Sequence, residues 1–515
     1  MHSTRIQLDL ARTIAPVPRR LFGTFVEHMG RSVYEGIFEP GHPHADARGF
    51  RLDVLELVRE LGATIVRYPG GNFVSGYKWE DGVGPVAERP VRLDAAWHSL
   101  ESNVVGLHEF AEWAQDAGLE LMEAVNLGTR GVAEAAELLE YANHPAGTEL
   151  SDRRRKNGRE EPFDITVWCL GNEMDGPWQI GHKTAEEYGR LAAESARLMR
   201  FIDHRIELVV AGSSNMDMPT FGEWERTVLR HTGELVNHIS VHAYYEEKDG
   251  DVDSFLASAV GLDRYLDTVA GIIDEVSAEL GLTHPIGISV DEWNVWYQSE
   301  WNDVHKDDVL SGSWDHAPRL IEDEYSVTDA VVVGSLLISL LRHSDRVSMA
   351  NLAQLVNVIA PIRCEPGGPA WRQSTFFPFQ LTAAHAHGTV LDVTIDTATV
   401  STAQYGDVDL VDAVATLADD GIVTLFVVNR DVANAAELNL ELASRYTVLD
   451  ARTLTTPTDG DRFSTNTATN QPVAPIALES AAVTTANATI LTTTLPALSW
   501  SVLRLAPASS ENNND

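Results

Sequence analysis

Residues 163–173, FDITVWCLGNE, climb from a polar turn through an apolar run and stop at Asn172-Glu173; residues 284–293, HPIGISVDEW, repeat the design around Asp291-Glu292. Short apolar runs of this kind read as strands covered on both faces, as in parallel sheets. A carboxylate closing such a strand is costly in a core, but it fits the mouth of a parallel barrel, where polar side chains gather. The interval between the two glutamates leaves room for about three strand-plus-helix units, so one barrel could bring both to one mouth.

Working outward, the same alternation of a short apolar run and a longer amphipathic one extends from about residue 20 to about 385. Strand candidates lie at 20–27, 63–70, 119–126, 165–173, 207–214, 237–245, 286–293 and 348–357. Helical runs separate them: 52–62 ends at Gly62, 106–118 ends at Gly118, and 184–201 starts at Thr184, a natural cap. Eight strands in this order predict an α/β fold, a (β/α)₈ TIM barrel over residues 19–385.

Beyond residue 385 the character changes. Lys306 is the last lysine, helical periodicity fades, and Thr- and Val-rich runs such as 421–429 and 498–505 appear. Residues 386–508 are therefore expected to form an all-β jelly roll or sandwich. The N-terminal segment, residues 1–18, carries Ile6, Leu8 and Leu10 on one face of an isolated strand and is expected to complete that sheet. The polar tail at 509–515 is expected to be disordered.

The net charge of −38 repels nucleic acid and anionic membrane and favours a neutral or cationic ligand, although solubility or a salty interior accounts for the excess acid as readily. Cys169 and Cys364 have neither metal-ligand spacing nor a disulfide framework, and Cys169 reads as a buried thiol in mid-strand. The first twenty residues show no apolar core of an export signal, and no run approaches the roughly 18 apolar residues of a membrane helix, so the expected location is cytoplasmic.

Strand ends are where such a barrel does chemistry, and here they are dense in polar groups. The first ends in Glu27-His28, the second in Arg67-Tyr68 before Gly70-Gly71-Asn72, the third in Asn126, the fourth in Asn172-Glu173. The sixth ends in His242, Tyr244 and Tyr245, the seventh in Asp291-Glu292, and the eighth region holds Asn351, Gln354 and Asn357. Each alone is as readily a loop hydrogen bond as a ligand contact. Seven such ends together point to a ligand rich in hydroxyls.

Two glutamates at one mouth are the apparatus of glycoside hydrolysis: one protonates the departing oxygen and the other meets the oxocarbenium-like carbon. With carboxyls about 5 to 5.5 Å apart, the second becomes a nucleophile and configuration is retained. Strict alternation would send Asn172 and Glu173 to opposite faces, so a kink at Gly171 is expected if both face the pocket. Rival motifs are weak: 108–112 misses a zinc-binding HExxH at its last residue, and no phosphate loop, dinucleotide fingerprint or serine elbow is present. The sequon at 487–489 reads as unmodified without an export signal.

The strings GTFVEH, RYPGGNF, WCLGNEMDGPWQIGHK, SVHAYY, DEWNVWY and MANLAQLVN, spread in this order over residues 22–357, resemble the α-L-arabinofuranosidases of glycoside hydrolase family 51. The resemblance implies that Glu173 is the acid/base and Glu292 the nucleophile of a retaining exo-acting enzyme releasing terminal arabinofuranosyl units from arabinan- or arabinoxylan-derived oligosaccharides. It implies that Glu27, Asn72, Asn172, Tyr244 and Gln354 hold sugar hydroxyls, with His242 also at the site, that Arg67 lies beside the nucleophile, and that Trp97 and Trp296 form aromatic walls. It further implies a homohexamer needing no metal or cofactor. Val105 departs from the aromatic residue of that family's pattern and bears on the pocket's rim. A β-xylosidase or β-1,4-glucanase of the same barrel clan, or a non-catalytic carbohydrate-binding protein, are the alternatives.

Overall fold

The computed structural model describes residues 1–484 and 488–508; the tail 509–515 and Asn487 of the sequon lie outside the described residues. Eight parallel strands close into a barrel in chain order: Gly23–Phe25, Ile65–Tyr68, Glu120–Val125, Val167–Leu170, Glu207–Val210, His238–Tyr245, Gly287–Val295 and Val347–Ala353. The last strand closes on the first, Asn351 opposite Gly23 and Ala353 opposite Phe25. Gly23 suits that seam, since a Cβ there would collide with Asn351 Oδ1 and the Ala350 carbonyl.

Most strands are shorter than the runs that foretold them. Residues Arg19–Phe22 form a 3₁₀ turn before the first strand, and the polar ends of several runs leave the ladder to become loops. Helix limits follow local chemistry: Leu52–Leu61 and Leu107–Ala117 end on left-handed Gly62 and Gly118, while Thr184 caps Ala185–Ile202 by accepting from the Glu187 N–H. Cys169 and Cys364 are free and buried. Among the described residues, no helix is long and apolar enough to cross a membrane.

Ten further strands make one curled sheet that forms the C-terminal domain. Its order is Ile476–Ala477, Tyr446–Thr455, Ser499–Pro507, Val423–Asn429, Val411–Leu417, Thr389–Asp396, His2–Pro16, Ala436–Leu442, Thr489–Leu495, Ser480–Thr484. The N-terminal strand thus sits inside the sheet, antiparallel to Thr389–Asp396 and parallel to Ala436–Leu442. Ile6 and Leu8 join the sheet's own apolar core. Helix Val327–Arg342, buried nearly all round, is packed between barrel and sheet; its Gly334 lets the Trp500 indole approach where a Cβ would overlap it.

Candidate active site

Two local distortions aim the glutamates. The fourth strand stops at Leu170, and Gly171 (φ 86°) and Glu173 (φ 45°) both adopt left-handed backbone. That kink turns Asn172 and Glu173 toward the same pocket, as the glycine suggested. In the seventh strand the pairing with the sixth slips between Ser289 and Glu292, and the pairing with the eighth slips between Val290 and Trp293. An irregularity of this kind re-aims side chains, here immediately before Glu292.

The facing carboxylates are close. One oxygen of Glu173, one of Glu292 and a ring nitrogen of His242 all lie within 4.8 Å of one another. His242 Nδ1 is 2.9 Å from Glu173 Oε1 and 3.6 Å from Glu292 Oε2. Tyr244 Oη donates to Glu292 Oε2 at 2.7 Å, and Arg67 Nη1 donates to Oε1 at 2.8 Å. Arg67 Nη2 donates to Asn172 Oδ1 at 2.6 Å, so one guanidinium ties the two strand ends together. The same three residues, Glu173, His242 and Glu292, have the spacing that could hold a cation, yet each is already engaged by a protein partner.

A second cluster stands across Gly71. Glu27 Oε1 accepts from the Phe73 N–H (2.8 Å) and from Trp97 Nε1 (2.9 Å). Gln354 accepts from the Glu27 N–H at 3.1 Å and its amide faces Glu27 Oε2 at 3.5 Å. A Cβ on Gly71 would lie 3.1 Å from Glu292 Oε1 and 3.2 Å from Glu27 Oε2, which places the glycine between the clusters. Asn72, next in the chain, is half-buried with no side-chain hydrogen bond to the described residues. Trp296 packs edge-on to Tyr244 at 5.0 Å, and its Nε1 has no partner among the described residues.

Electrostatics separate the carboxyls. Burial raises Glu27 to about 8, outweighing its two N–H donors. Burial pushes Glu292 the same way, but His242, Arg67 and Tyr244 more than offset it and hold this carboxyl below the usual range. His242 is buried, which disfavours its cation, yet Glu292 and Glu173 raise it above an ordinary imidazole.

Several strand-end groups have structural duties instead. His28 bridges Glu101 and Tyr68, Asn126 closes its own loop on Thr129 and Tyr77, Asn351 fills the barrel interior, and Asn357 binds Arg31 and Cys364. Val105 is fully buried with its N–H directed at Tyr34 Oη, so it is core and not rim. Trp178 was not singled out by the sequence, although it lies within LGNEMDGPWQ. It is 47% exposed and its Nε1 donates to Glu173 Oε2 at 2.6 Å.

Models of the α-L-arabinofuranosidase 1 domain and the α-L-arabinofuranosidase C-terminal domain match residues 57–267 and 291–499. An exo-α-(1→6)-L-arabinofuranosidase of Bifidobacterium longum is 53% identical over 98% of both chains. A solved family 51 α-L-arabinofuranosidase from the same organism superposes with a TM-score of 0.92 at 46% identity, covering 98% of this chain and 99% of that one. The chain belongs to the α-L-arabinofuranosidases of glycoside hydrolase family 51. An intracellular exo-α-(1→5)-L-arabinofuranosidase of Streptomyces lividans is 60% identical over 86% of this chain and 67% of its own length.

Proposed function

We propose that this family 51 chain is a retaining, exo-acting α-L-arabinofuranosidase working on arabinan- or arabinoxylan-derived oligosaccharides. The observation that carries the reading is that one oxygen of Glu173 and one of Glu292 lie within 4.8 Å of each other, which favours the short carboxyl separation of retaining enzymes over the wider one of inverting enzymes. Glu292, held ionised by Arg67, His242 and Tyr244, attacks C1 while Glu173 gives its proton to the leaving oxygen. The glycosidic bond breaks and an arabinofuranosyl ester forms on Glu292. Water, giving its proton to Glu173, then attacks C1 and frees Glu292, so two inversions leave the α configuration intact.

Glu27, Asn72, Asn172, Tyr244 and Gln354 hold the terminal sugar's hydroxyls in this reading, and His242 keeps Glu173 oriented. Glu27, its carboxyl pushed up to about 8 by burial, can donate a hydrogen bond to a sugar hydroxyl when protonated. Trp296 offers a wall for the sugar, and Trp97 holds Glu27 in place. The relatives differ in the linkage they are named for, (1→5) and (1→6), so linkage is read on the leaving-group side of the glutamates. A cytoplasmic homohexamer completes the reading; relatives named intracellular and the family resemblance support it, and light scattering tests the assembly.

The test is hydrolysis of an aryl α-L-arabinofuranoside followed by proton NMR. The α anomer should form first, and Glu292→Ala should abolish turnover. A first-formed β anomer removes the retaining mechanism, and near-wild-type turnover by Glu292→Ala removes the assignment.

A further inference from the structure

A cavity of about 680 Å³ opens on the same end of the barrel, beside the mouth and outside the clusters described above. Tyr297 and Trp301, in the long segment after the seventh strand, form one wall. Arg363, from the loop after the eighth strand, forms another, and Phe463 and Thr465 reach in from the C-terminal domain. The cavity adjoins the catalytic mouth: Tyr297 follows Trp296 in the chain, and the Trp301 ring lies 6.4 Å from that of Trp97.

The domain segment that supplies Phe463 is fastened to the barrel. Arg462 pairs with Glu247 at 2.6 and 2.8 Å, Thr328 donates to the Arg462 carbonyl at 2.9 Å, and Trp371 donates to the Asn466 carbonyl at 3.2 Å. The Arg462 guanidinium lies 3.9 Å from the centre of the Phe463 ring, yet the phenylalanine remains 59% exposed. The exposed ring at the cavity wall offers a flat apolar face on which a sugar ring can pack.

The lining also says what chemistry fits. Tyr297, Trp301 and Phe463 offer apolar ring faces, while Glu300, Asp308, Asp323 and Glu324 offer acceptors for hydroxyls. Arg319 and Arg363 are paired with Glu365 and Glu322, so no free cation awaits an anionic sugar among the cavity's described residues. Arg363 Nε, buried and without a partner among the described residues, is a donor still to be satisfied. The volume falls within the roughly 300–1,000 Å³ of small-molecule sites.

We propose that this cavity is a distal leaving-group subsite, completed by the C-terminal domain, that holds the inner units of a neutral pentose oligosaccharide whose terminal unit lies at Glu173 and Glu292. The proposal rests on the glycosidase reading above and adds substrate recognition to the β domain.

Its test compares wild type, Phe463→Ala and Phe463→Tyr on an aryl α-L-arabinofuranoside, on α-1,5-arabino-oligosaccharides of two to four units, and on a matched arabinoxylo-oligosaccharide series. Wild-type kcat/KM should rise from two units to four in at least one series, which identifies the chain bound. Phe463→Ala should cancel about 2- to 10-fold of that rise, mainly through KM, as expected for losing one aromatic contact. Aryl-glycoside turnover and melting temperature should be unchanged, and Phe463→Tyr should restore the rise. No gain with length in wild type, the same profile in Phe463→Ala, or an equal loss on every substrate overturns the proposal. A wild-type protein inactive on the aryl glycoside would instead overturn the underlying activity.

Discussion

Arg67 and Glu292 form a buried ion pair, Nη1 to Oε1 at 2.8 Å, with 1% and 8% of their side chains exposed. The guanidinium also binds Asn172 and lies over the Phe25 ring at 4.8 Å, with Asp291 3.8 Å from its Nε. Removing one member of a buried pair strands the other, at a cost of about 3–5 kcal/mol. Arg67→Met should therefore lower stability by about that amount in urea titration. Burial would then act on Glu292 with less opposition, and the acid limb of kcat/KM should move to higher pH. Arg67→Lys keeps the charge but not the fork, and should fall between the two. Wild-type stability and an unmoved acid limb in Arg67→Met would contradict the account.

Tyr244 isolates the hydrogen-bond contribution from the charge. Its Oη donates to Glu292 Oε2 at 2.7 Å, helping to hold that carboxyl down. Tyr244→Phe keeps the ring packed against Trp296 and removes only the donor. A hydrogen bond to a charged group contributes about 1.5–3 kcal/mol, so kcat/KM should fall roughly 10- to 100-fold. The sign of the pH effect is fixed: a lost donor raises Glu292, and the acid limb must move up. A shift to lower pH is the outcome that refutes it.

What the sequence disclosed follows the range of the physics involved. Gly62, Gly118 and Thr184 announce helix ends because capping is settled within four residues. The kink at Gly171 was legible because two adjacent polar residues needed one pocket and a glycine stood beside them. The slip before Glu292 carries no such mark, since pairing with both neighbouring strands decides it. His28, Asn126, Asn351 and Asn357 look like site residues in the chain, and only their distant or loop partners reveal otherwise. Phe463 is separated from the barrel by most of the C-terminal domain, and nothing local ties it to Trp301.

Gly71 tests how rigidly the two carboxylate clusters are set. It makes no use of left-handed backbone, so the effect of a methyl group there is steric alone. The added Cβ would sit 3.1 Å from Glu292 Oε1 and 3.2 Å from Glu27 Oε2, and both oxygens belong to carboxylates fixed by their donors. Overpacking of this kind costs about 1–3 kcal/mol. Gly71→Ala should lower stability by about that amount in urea titration and also lower kcat/KM on the aryl glycoside. Activity close to wild type would mean that the clusters yield more readily than their hydrogen bonds suggest.

Glu123 carries the pH dependence of stability with no role in the reaction proposed. It lies on the third barrel strand, 3% exposed, and its Oε2 has no partner among the described residues. Burial alone pushes its carboxyl well above the usual range, so the folded protein keeps the proton that the unfolded chain releases. The contribution to stability is thus full below the ordinary carboxylate range and is lost as pH rises toward the folded value, at up to about 1.4 kcal/mol per pH unit. Asp94, at about 7, and Glu27, at about 8, add slopes of the same sign. Glu123→Gln removes only one of these contributions, so wild type and variant must be compared by urea titration at pH 5, 6.5 and 8. The variant should gain on wild type at each step; a difference that stays flat or shrinks would show that Glu123 is ionised in the fold.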